Sequence, residues 1–398
     1  MERRELVFMD AKSSKFWNIE LDGKSHTVSY GRTGTTGQSK TKDFSSEEAA
    51  KTDFEKMVAA KMKKGYVDGG SETAVGDSDG LPFVAFGLIN KQTDMYENVK
   101  TFVGKKVADY DPESKPTKDG KTIYRFSSNW EEDNLVEYLA HFCESEAVSE
   151  AVGIVIGNWG GEDSQGSPDP VIELLVKHAA NFPKLSAIYF GDITQEENEM
   201  SWIQQSDMSA LLIAFPNLQL LRTRGGDNLS FTTLNHSNLR ALAVETGGLP
   251  VEVVRSVCKS KLSNLEHLEL WLGTEEYGGS SSVQDLQPIL SGKLFPKLRY
   301  LGLRNCDYAD DIAGVIVNSP IIQRIETLDL SFGTLTDEGG QALCSLPEGG
   351  TLKKVSLNHN FITDPVKKKL EAKDLVIDVS QGEADTSDDE WRFVAVGE

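Results

Sequence analysis

Long apolar segments and paired cysteines are both missing from this sequence. Its four cysteines, Cys143, Cys258, Cys306 and Cys344, lie far apart and form no CxxC pair, which argues against a disulfide framework or a zinc site. No stretch approaches the roughly eighteen apolar residues of a membrane span. The charged start, MERREL, lacks the apolar core of a secretory signal peptide. These absences favour a protein of the reducing cytoplasm.

Signature motifs of common enzyme classes are also absent. The sequence has no G-x-S-x-G, no H-E-x-x-H and no G-x-G-x-x-G after a predicted strand, and its six histidines are dispersed. The glycines between Gly31 and Gly37 resemble a phosphate loop superficially, but the Gly-Lys-Ser/Thr order is missing, so turns explain them better. We therefore expect a non-catalytic protein that has no cofactor and no metal site.

Charge is spread unevenly along the 398 residues, which carry a formal net charge of −21. The first 66 residues hold more basic than acidic side chains, so the acidic excess lies in the remainder. An acidic surface repels a phosphate backbone, whereas a basic one attracts it. If nucleic acid binds this chain, the basic first segment is the favoured place. Elsewhere the acidity is explained by solubility alone.

A pattern of the form L-x-x-L-x-L recurs in one register through the last two-thirds of the chain. Its copies begin at Ala151 (a weaker copy), Leu185, Leu218, Leu239, Leu265, Leu298, Ile325 and Leu352. Such spacing is typical of leucine-rich repeats, in which each copy supplies one strand and the stretches between copies supply convex helices. The sequence therefore predicts an α/β fold, a leucine-rich-repeat solenoid of parallel strands and convex helices, preceded by a small α+β domain.

Composition changes divide the chain into segments. The run 68–80 is rich in Gly and Ser and is predicted to be a linker. It separates a small unit, residues 1–67, from residues 81–150, which we expect to cap the solenoid formed by 151–380. Residues 381–398 are predicted to be an acidic tail. Within the small unit, Asp22-Gly23 predicts a hairpin, and the run SSEE at 45–48 predicts the start of a helix.

The small unit resembles a WGR domain. The matching marks are KFW at 15–17, YGRTGTTGQ at 30–38 and KGY at 64–66, with Tyr30 at the position of the Trp that gives the family its first letter. In eukaryotic poly(ADP-ribose) polymerases such domains bind DNA near strand ends, where the aromatic residue packs on the terminal nucleotide and the Arg holds the backbone. The resemblance implies these roles for Tyr30 and Arg32. Gln38 and Lys40 are further candidates for binding nucleic acid.

Residues 81 to 380 resemble a bacterial leucine-rich-repeat family that is often fused to a WGR domain. The stretches that carry this resemblance are IGNW at 156–159, SWIQQ at 201–205, RTRGG at 222–226, ETGGL at 245–249 and LDLSFG at 328–333. The resemblance implies no biochemical activity, and the polymerase activity of other WGR proteins is not implied because no such catalytic region is visible.

Residues between the repeat leucines are predicted to line a solvent-facing concave surface, because alternate side chains of a strand point to opposite faces. Arg and aromatic residues are frequent binding anchors. The candidate partner-binding residues in this row are Tyr189, Arg222, Arg224, Glu245, Glu269, Trp271, Tyr300 and Arg304. The alternative for the Arg and Glu members is a cross-strand ladder of ion pairs that binds no ligand.

Three functions follow from this organisation. The first is a non-catalytic adaptor or sensor, whose WGR unit contacts DNA or RNA and whose concave face binds a protein partner. The second is a scaffold that binds proteins only. The third, an enzyme with a site near Arg222, Glu245 and Glu269, lacks any recognisable motif.

Overall fold

The computed structural model describes residues 2–10, 13–32, 38–64, 66–68, 81, 95–128, 134–160, 166–382, 384 and 392–397. The chain divides into two compact units, Met1–Thr93 with Val99–Lys106, and Asp94–Asn98 with Val107–Glu398. Of the predicted linker, residues 69–80 lie outside the described part, as do residues 385–390 of the predicted acidic tail.

Up to residue 68, the first unit consists of an antiparallel sheet of five strands and one helix. Its strands are β1 (Glu2–Asp10), β2 (Ser13–Asp22), β3 (Ser25–Arg32), β4 (Gln38–Asp43) and β5 (Val67–Asp68). They lie in the order β4-β3-β2-β1-β5. The predicted hairpin is confirmed, because Asp22 pairs with Ser25 and Gly23 takes the left-handed φ of 55° that this turn needs.

The helix of this unit, α1 (Glu47–Met62), begins where the SSEE run predicts. The side chain of Ser46 accepts a hydrogen bond from the amide of Ala49 at 3.1 Å, which satisfies one of the free amides of the first turn. Phe54 and Val58 on the helix pack against Trp17 of β2, and together they form the core of the unit.

The second sheet has twelve strands in the order β17 to β6, and nearly all of its pairings are parallel. Its first six strands are β6 (Thr101–Phe102), β7 (Lys105–Asp109), β8 (Thr122–Phe126), β9 (Gly153–Ile156), β10 (Ala187–Phe190) and β11 (Leu220–Arg224). The others are β12 (Ala241–Glu245), β13 (His267–Gly273), β14 (Tyr300–Cys306), β15 (Thr327–Asp329), β16 (Lys354–Ser356) and β17 (Val376–Asp378).

Short helices connect most of the parallel strands. They are α2 (Leu135–Glu144), α3 (Asp169–Lys177), α4 (Ser209–Ala214), α5 (Val251–Lys259), α6 (Gln287–Leu290), α7 (Ala309–Ile316), α8 (Asp337–Leu343) and α9 (Asp364–Glu371). Their apolar residues join the strand leucines in one continuous core, so one face of the sheet is covered by helices.

The leucine pattern of the sequence sets the register of this sheet. Leu221 pairs with Leu242, Leu242 with Leu268 and Leu268 with Leu301, each on the next strand along. All four side chains are fully buried in the core. Because side chains alternate along a strand, the residues beside these leucines point to the opposite face of the sheet, called here the strand face.

Candidate binding surfaces

Three of the four candidate residues for binding nucleic acid, Tyr30, Gln38 and Lys40, lie on one face of the small sheet. Tyr30 on β3 lies opposite Gln38 on β4 and donates a hydrogen bond to its amide oxygen at 3.2 Å. Lys40 pairs with Val28, two residues from Tyr30, so it projects to the same face and is exposed. Arg32 ends β3; its side chain lies outside the described part of the structure.

The end of α1 adds a cationic and aromatic cluster to this face. The ammonium of Lys61 lies 5.4 Å from the centre of the Trp17 ring and 4.7 Å from that of Tyr66. Burial lowers the pKa of Lys61, and the positive charges of Lys64 and Lys15 lower it further. The positive charges of these lysines favour an anion at this face.

The strand face of the large sheet departs from the sequence prediction. The eight candidate partner-binding residues were expected to face solvent, and this expectation is wrong, because none is more than 5% exposed. Those residues are Tyr189, Arg222, Arg224, Glu245, Glu269, Trp271, Tyr300 and Arg304. Their charged groups form ion pairs, and their rings lie against guanidinium groups or against His267, so the row forms a polar interior.

Glu245 is the centre of the first ion-pair group on the strand face. Its two carboxylate oxygens accept hydrogen bonds from Nε of Arg222 at 2.5 Å and from Nε of Arg224 at 2.9 Å. The guanidinium of Arg222 lies 4.1 Å from the centre of the Tyr189 ring. Burial lowers the pKa of Arg222, but Glu245 opposes it and raises the pKa overall. The alternative of a cross-strand ion-pair ladder thus describes these residues.

Glu269 is the centre of the second group. It accepts a hydrogen bond from the indole of Trp271 at 2.8 Å, lies 3.2 Å from His267 and forms an ion pair with Arg304. Glu269 pairs with Arg304 and not with Arg222 or Arg224, so the ion pairs of the row form two groups and not one continuous ladder. Beside it, the hydroxyl of Tyr300 donates to Asp329 at 2.8 Å.

Acid is expected to weaken the fold through Glu269. Burial raises the pKa of this carboxyl, but Arg304 and the hydrogen-bond donors outweigh burial and lower the pKa to about 2, below the ordinary 4.5. A depressed folded-state pKa contributes stability above pH 4.5 that is lost as the pH falls towards 2. The free energy of unfolding, measured with urea between pH 4.5 and pH 2, should fall less steeply with pH in Glu269→Gln than in wild type. Equal slopes would contradict the assignment.

Residues 392–397 close one end of the strand face. The amide of Val396 donates to the side chain of Asn305 at 3.0 Å, and that of Ala395 donates to the carbonyl of Phe332 at 2.8 Å. Asn305, near the end of β14, and Phe332 and His359, which follow β15 and β16, all have left-handed φ, between 51° and 70°. Phe rarely adopts this conformation, which costs roughly 1–2 kcal/mol, so contacts with the terminal segment help to retain it.

Val396 also belongs to a small apolar cluster that covers Trp271. Met200 and Val396 pack against the indole, with Met95 and Phe332 at the margin. This cover explains why Trp271 is buried although its strand position faces away from the helices. Residues 393–396 fall within the predicted acidic tail, 381–398, and were not expected to pack against the sheet. The apolar run FVAV at 393–396 is the signal that could have identified this contact.

Two searches of the described residues were negative. Within the ranges given above, no group of His, Cys, Asp and Glu side chains is arranged to hold a metal ion. None of the helices in that part of the chain has the length and hydropathy needed to cross a bilayer.

Comparison with known proteins identifies the first unit. Residues 2–73 match the WGR domain family. Two proteins of Escherichia coli strain K12 are similar to this region, "Uncharacterized protein YfeS" with 44% identity over 64 residues and "Protein YehF" with 43% over 65 residues. Each alignment covers 16% of this chain and about a quarter of the relative's own length (26% and 24%). A WGR domain is therefore present at the N-terminus.

A solved structure is similar to the whole chain. It is the crystal structure of a Bacteroides fragilis protein determined by the Northeast Structural Genomics Consortium, with 29% identity and a TM-score of 0.65. The similarity covers 99% of both chains. The arrangement of a WGR domain followed by a mostly parallel sheet thus has a counterpart of the same length.

Proposed function

We propose that this protein is a non-catalytic adaptor or sensor whose WGR domain contacts nucleic acid, with DNA ends as the preferred form. The observation that carries the proposal is the shared face of Tyr30, Gln38 and Lys40, bordered by Lys61 between two aromatic rings. Lysines there would neutralise phosphates, and the half-buried Tyr30 ring would stack on a terminal base or sugar.

The charge distribution supports this placement. The remainder of the chain holds the whole acidic excess, and its surface would repel a phosphate backbone. Lys40 and Lys64 are exposed on the WGR domain, where a polyanion in solution can reach them. Contacts of this kind give affinity that falls as salt is added, because bound counterions are released.

For the large sheet, we propose a leucine-rich-repeat solenoid over residues 151–380, with residues 81–150 as its N-terminal cap. The support is one strand for each leucine motif, parallel pairing of successive strands, and connecting helices that share the leucine core. A protein partner would then meet the segments that cover the strand face, since the eight residues of the predicted contact row are buried.

A scaffold that binds only proteins is the second candidate function. Trp202 is 56% exposed and Ile213 is 70% exposed, and large exposed apolar side chains of this kind are frequent in protein interfaces. Partners retained in a pull-down after nuclease treatment, and also retained by Arg32→Glu, would favour this function.

Arg32→Glu is expected to weaken binding of a short end-bearing DNA duplex at least tenfold, because it replaces a cation of the proposed interface with an anion. Fluorescence anisotropy of a labelled duplex with the full chain measures this at low and at physiological salt. Lys177→Glu, at the exposed end of α3, is the matched control and should leave the affinity close to that of wild type. Equal affinity of Arg32→Glu and wild type would overturn the nucleic-acid proposal.

A further inference from the structure

Residues 392–397 cross the strand ends of the large sheet as an extended segment. The carbonyl oxygen of Phe393 lies 3.1 Å from the imidazole of His359, which follows β16. Three residues further on, Val396 is bound by Asn305 of β14. These two contact points are two strands apart, roughly 10 Å at the usual spacing between strands. Only an extended chain covers that distance in three residues.

The sheet binds this segment through main-chain atoms. The side-chain amide of Asn305 donates to the carbonyl oxygen of Val396 at 2.5 Å, and the side-chain oxygen of Asn305 accepts from the amide of Val396 at 3.0 Å. The amide of Ala395 donates to the sheet as described above, and the hydroxyl of Ser201 donates to the carbonyl oxygen of Gly397. Main-chain contacts of this kind are how proteins bind extended peptides at the edge of a sheet.

Side chains of the segment add selectivity to these contacts. Val394 and Val396 are 5% and 6% exposed, so alternate residues point into the sheet, and Val396 packs against Trp271. A Cβ atom at Gly397 would lie 2.8 Å from the ring of Tyr277, closer than side-chain carbons approach one another. The site therefore selects two valines that are two residues apart and a glycine after the second, the pattern V-x-V-G.

The apolar contacts of the segment are separate from the continuous core of the sheet. Val396, Trp271 and Met200 form a buried cluster of their own, apart from the leucines that pack against the helices. A region with few buried apolar contacts opens at a lower free-energy cost than the core does. The segment can therefore leave its position while the sheet stays folded.

We propose that the groove beneath residues 392–397, formed by Asn305, Trp271 and Ser201, is a binding site for an extended peptide of a protein partner with the pattern V-x-V-G. The segment occupies this site in cis, and the partner peptide replaces it and makes the same main-chain contacts. A segment of the same chain competes through an intramolecular contact, so the intact protein binds the peptide weakly. This inference rests on the protein-binding half of the proposed function and is independent of the nucleic-acid half.

The test uses the full chain and a fluorescein-labelled peptide, RFVAVGE, which repeats residues 392–398. Val396→Asp places a carboxylate against Trp271 and should displace the segment, because a buried unpaired charge is costly. Fluorescence anisotropy should then show at least tenfold tighter binding of the peptide to Val396→Asp than to wild type. A peptide with the same change, RFVADGE, is the matched control and should not bind. Asn305→Gly, which permits the left-handed φ of that residue, should remove peptide binding from the Val396→Asp chain.

If Val396→Asp does not fold, Gly397→Val displaces the segment in its place, because the added carbons would meet the ring of Tyr277. Failure of RFVAVGE to bind the folded variant would overturn the proposal, and so would equal binding of RFVAVGE and RFVADGE. A wild-type dimer that becomes a monomer in Val396→Asp would assign the groove to a second copy of this chain and overturn the assignment to a partner. None of these results bears on duplex binding, which Arg32→Glu tests separately.

Discussion

Glu245→Gln is expected to lower the free energy of unfolding by about 3–5 kcal/mol, since removing one partner from a buried ion pair leaves its counterpart uncompensated. Here the loss is compounded because Glu245 neutralises both Arg222 and Arg224. Glutamine keeps the shape of the side chain, so the effect reports charge and hydrogen bonding and not a cavity. Urea unfolding followed by circular dichroism measures it.

Glu326→Gln is the control for that prediction. Glu326 also pairs with an arginine, Arg299, at 2.7 and 3.2 Å, but both side chains are about 30% exposed. Pairs open to water contribute about 0–1 kcal/mol. A loss in Glu245→Gln as small as that in Glu326→Gln would show that the strand face is open to solvent.

Trp271→Ala is expected to cost about 3–5 kcal/mol of unfolding free energy, the usual range for deleting a large buried aromatic side chain. The side chain is fully buried, packs against Met200 and Val396, and donates to Glu269, which would lose one of its donors. If Trp271 were instead an exposed anchor for a partner, its removal would hardly change stability.

Trp202→Ala supplies the comparison for Trp271→Ala. Trp202 is 56% exposed, so its replacement is expected to stay within about 0.5 kcal/mol of wild type. Thermal and urea unfolding of both variants under one set of conditions give the difference. Similar losses for the two tryptophans would contradict the burial of Trp271.

The leucine pattern of the sequence was sufficient to place strands β9 to β16 of the large sheet. Leu221, Leu242, Leu268 and Leu301 sit in neighbouring strands and are buried, because a leucine repeated at a fixed position in each copy marks the side that meets the helices. The same alternation correctly assigned Arg222 to the other face. It could not show whether that face is exposed to solvent. Alternation predicts the face to which a side chain points, but not which residues pack over that face.

The residues that pack over the strand face are distant in the sequence from the residues they bury. Val396 lies more than a hundred residues from Trp271, and no local pattern connects them. The apolar run at 393–396 follows an acidic stretch, so composition alone favoured a tail. Glu269 forms an ion pair with Arg304 on the next strand, although its register partner there is Gly302. The strand register alone therefore does not predict this ion pair.

For the WGR domain, local signals predicted the hairpin and the start of α1. The family motif identified Tyr30, and Lys40 was a further candidate; the strand register places both on one face. No role was predicted for Lys61. Its position between Trp17 and Tyr66 requires the helix to cross the sheet at one particular place, which is a property of the tertiary fold.

The most direct test of the proposed function is the salt dependence of duplex binding by the full chain. Affinity for an end-bearing duplex should fall linearly on logarithmic axes as salt rises, with a slope of roughly −0.9 for each phosphate contacted. Lys40→Ala should make that slope shallower by about one, whereas Lys177→Ala should not change it. If no binding is detected, or if the affinity changes neither with salt nor in Lys40→Ala, the proposal that this WGR domain binds nucleic acid is contradicted.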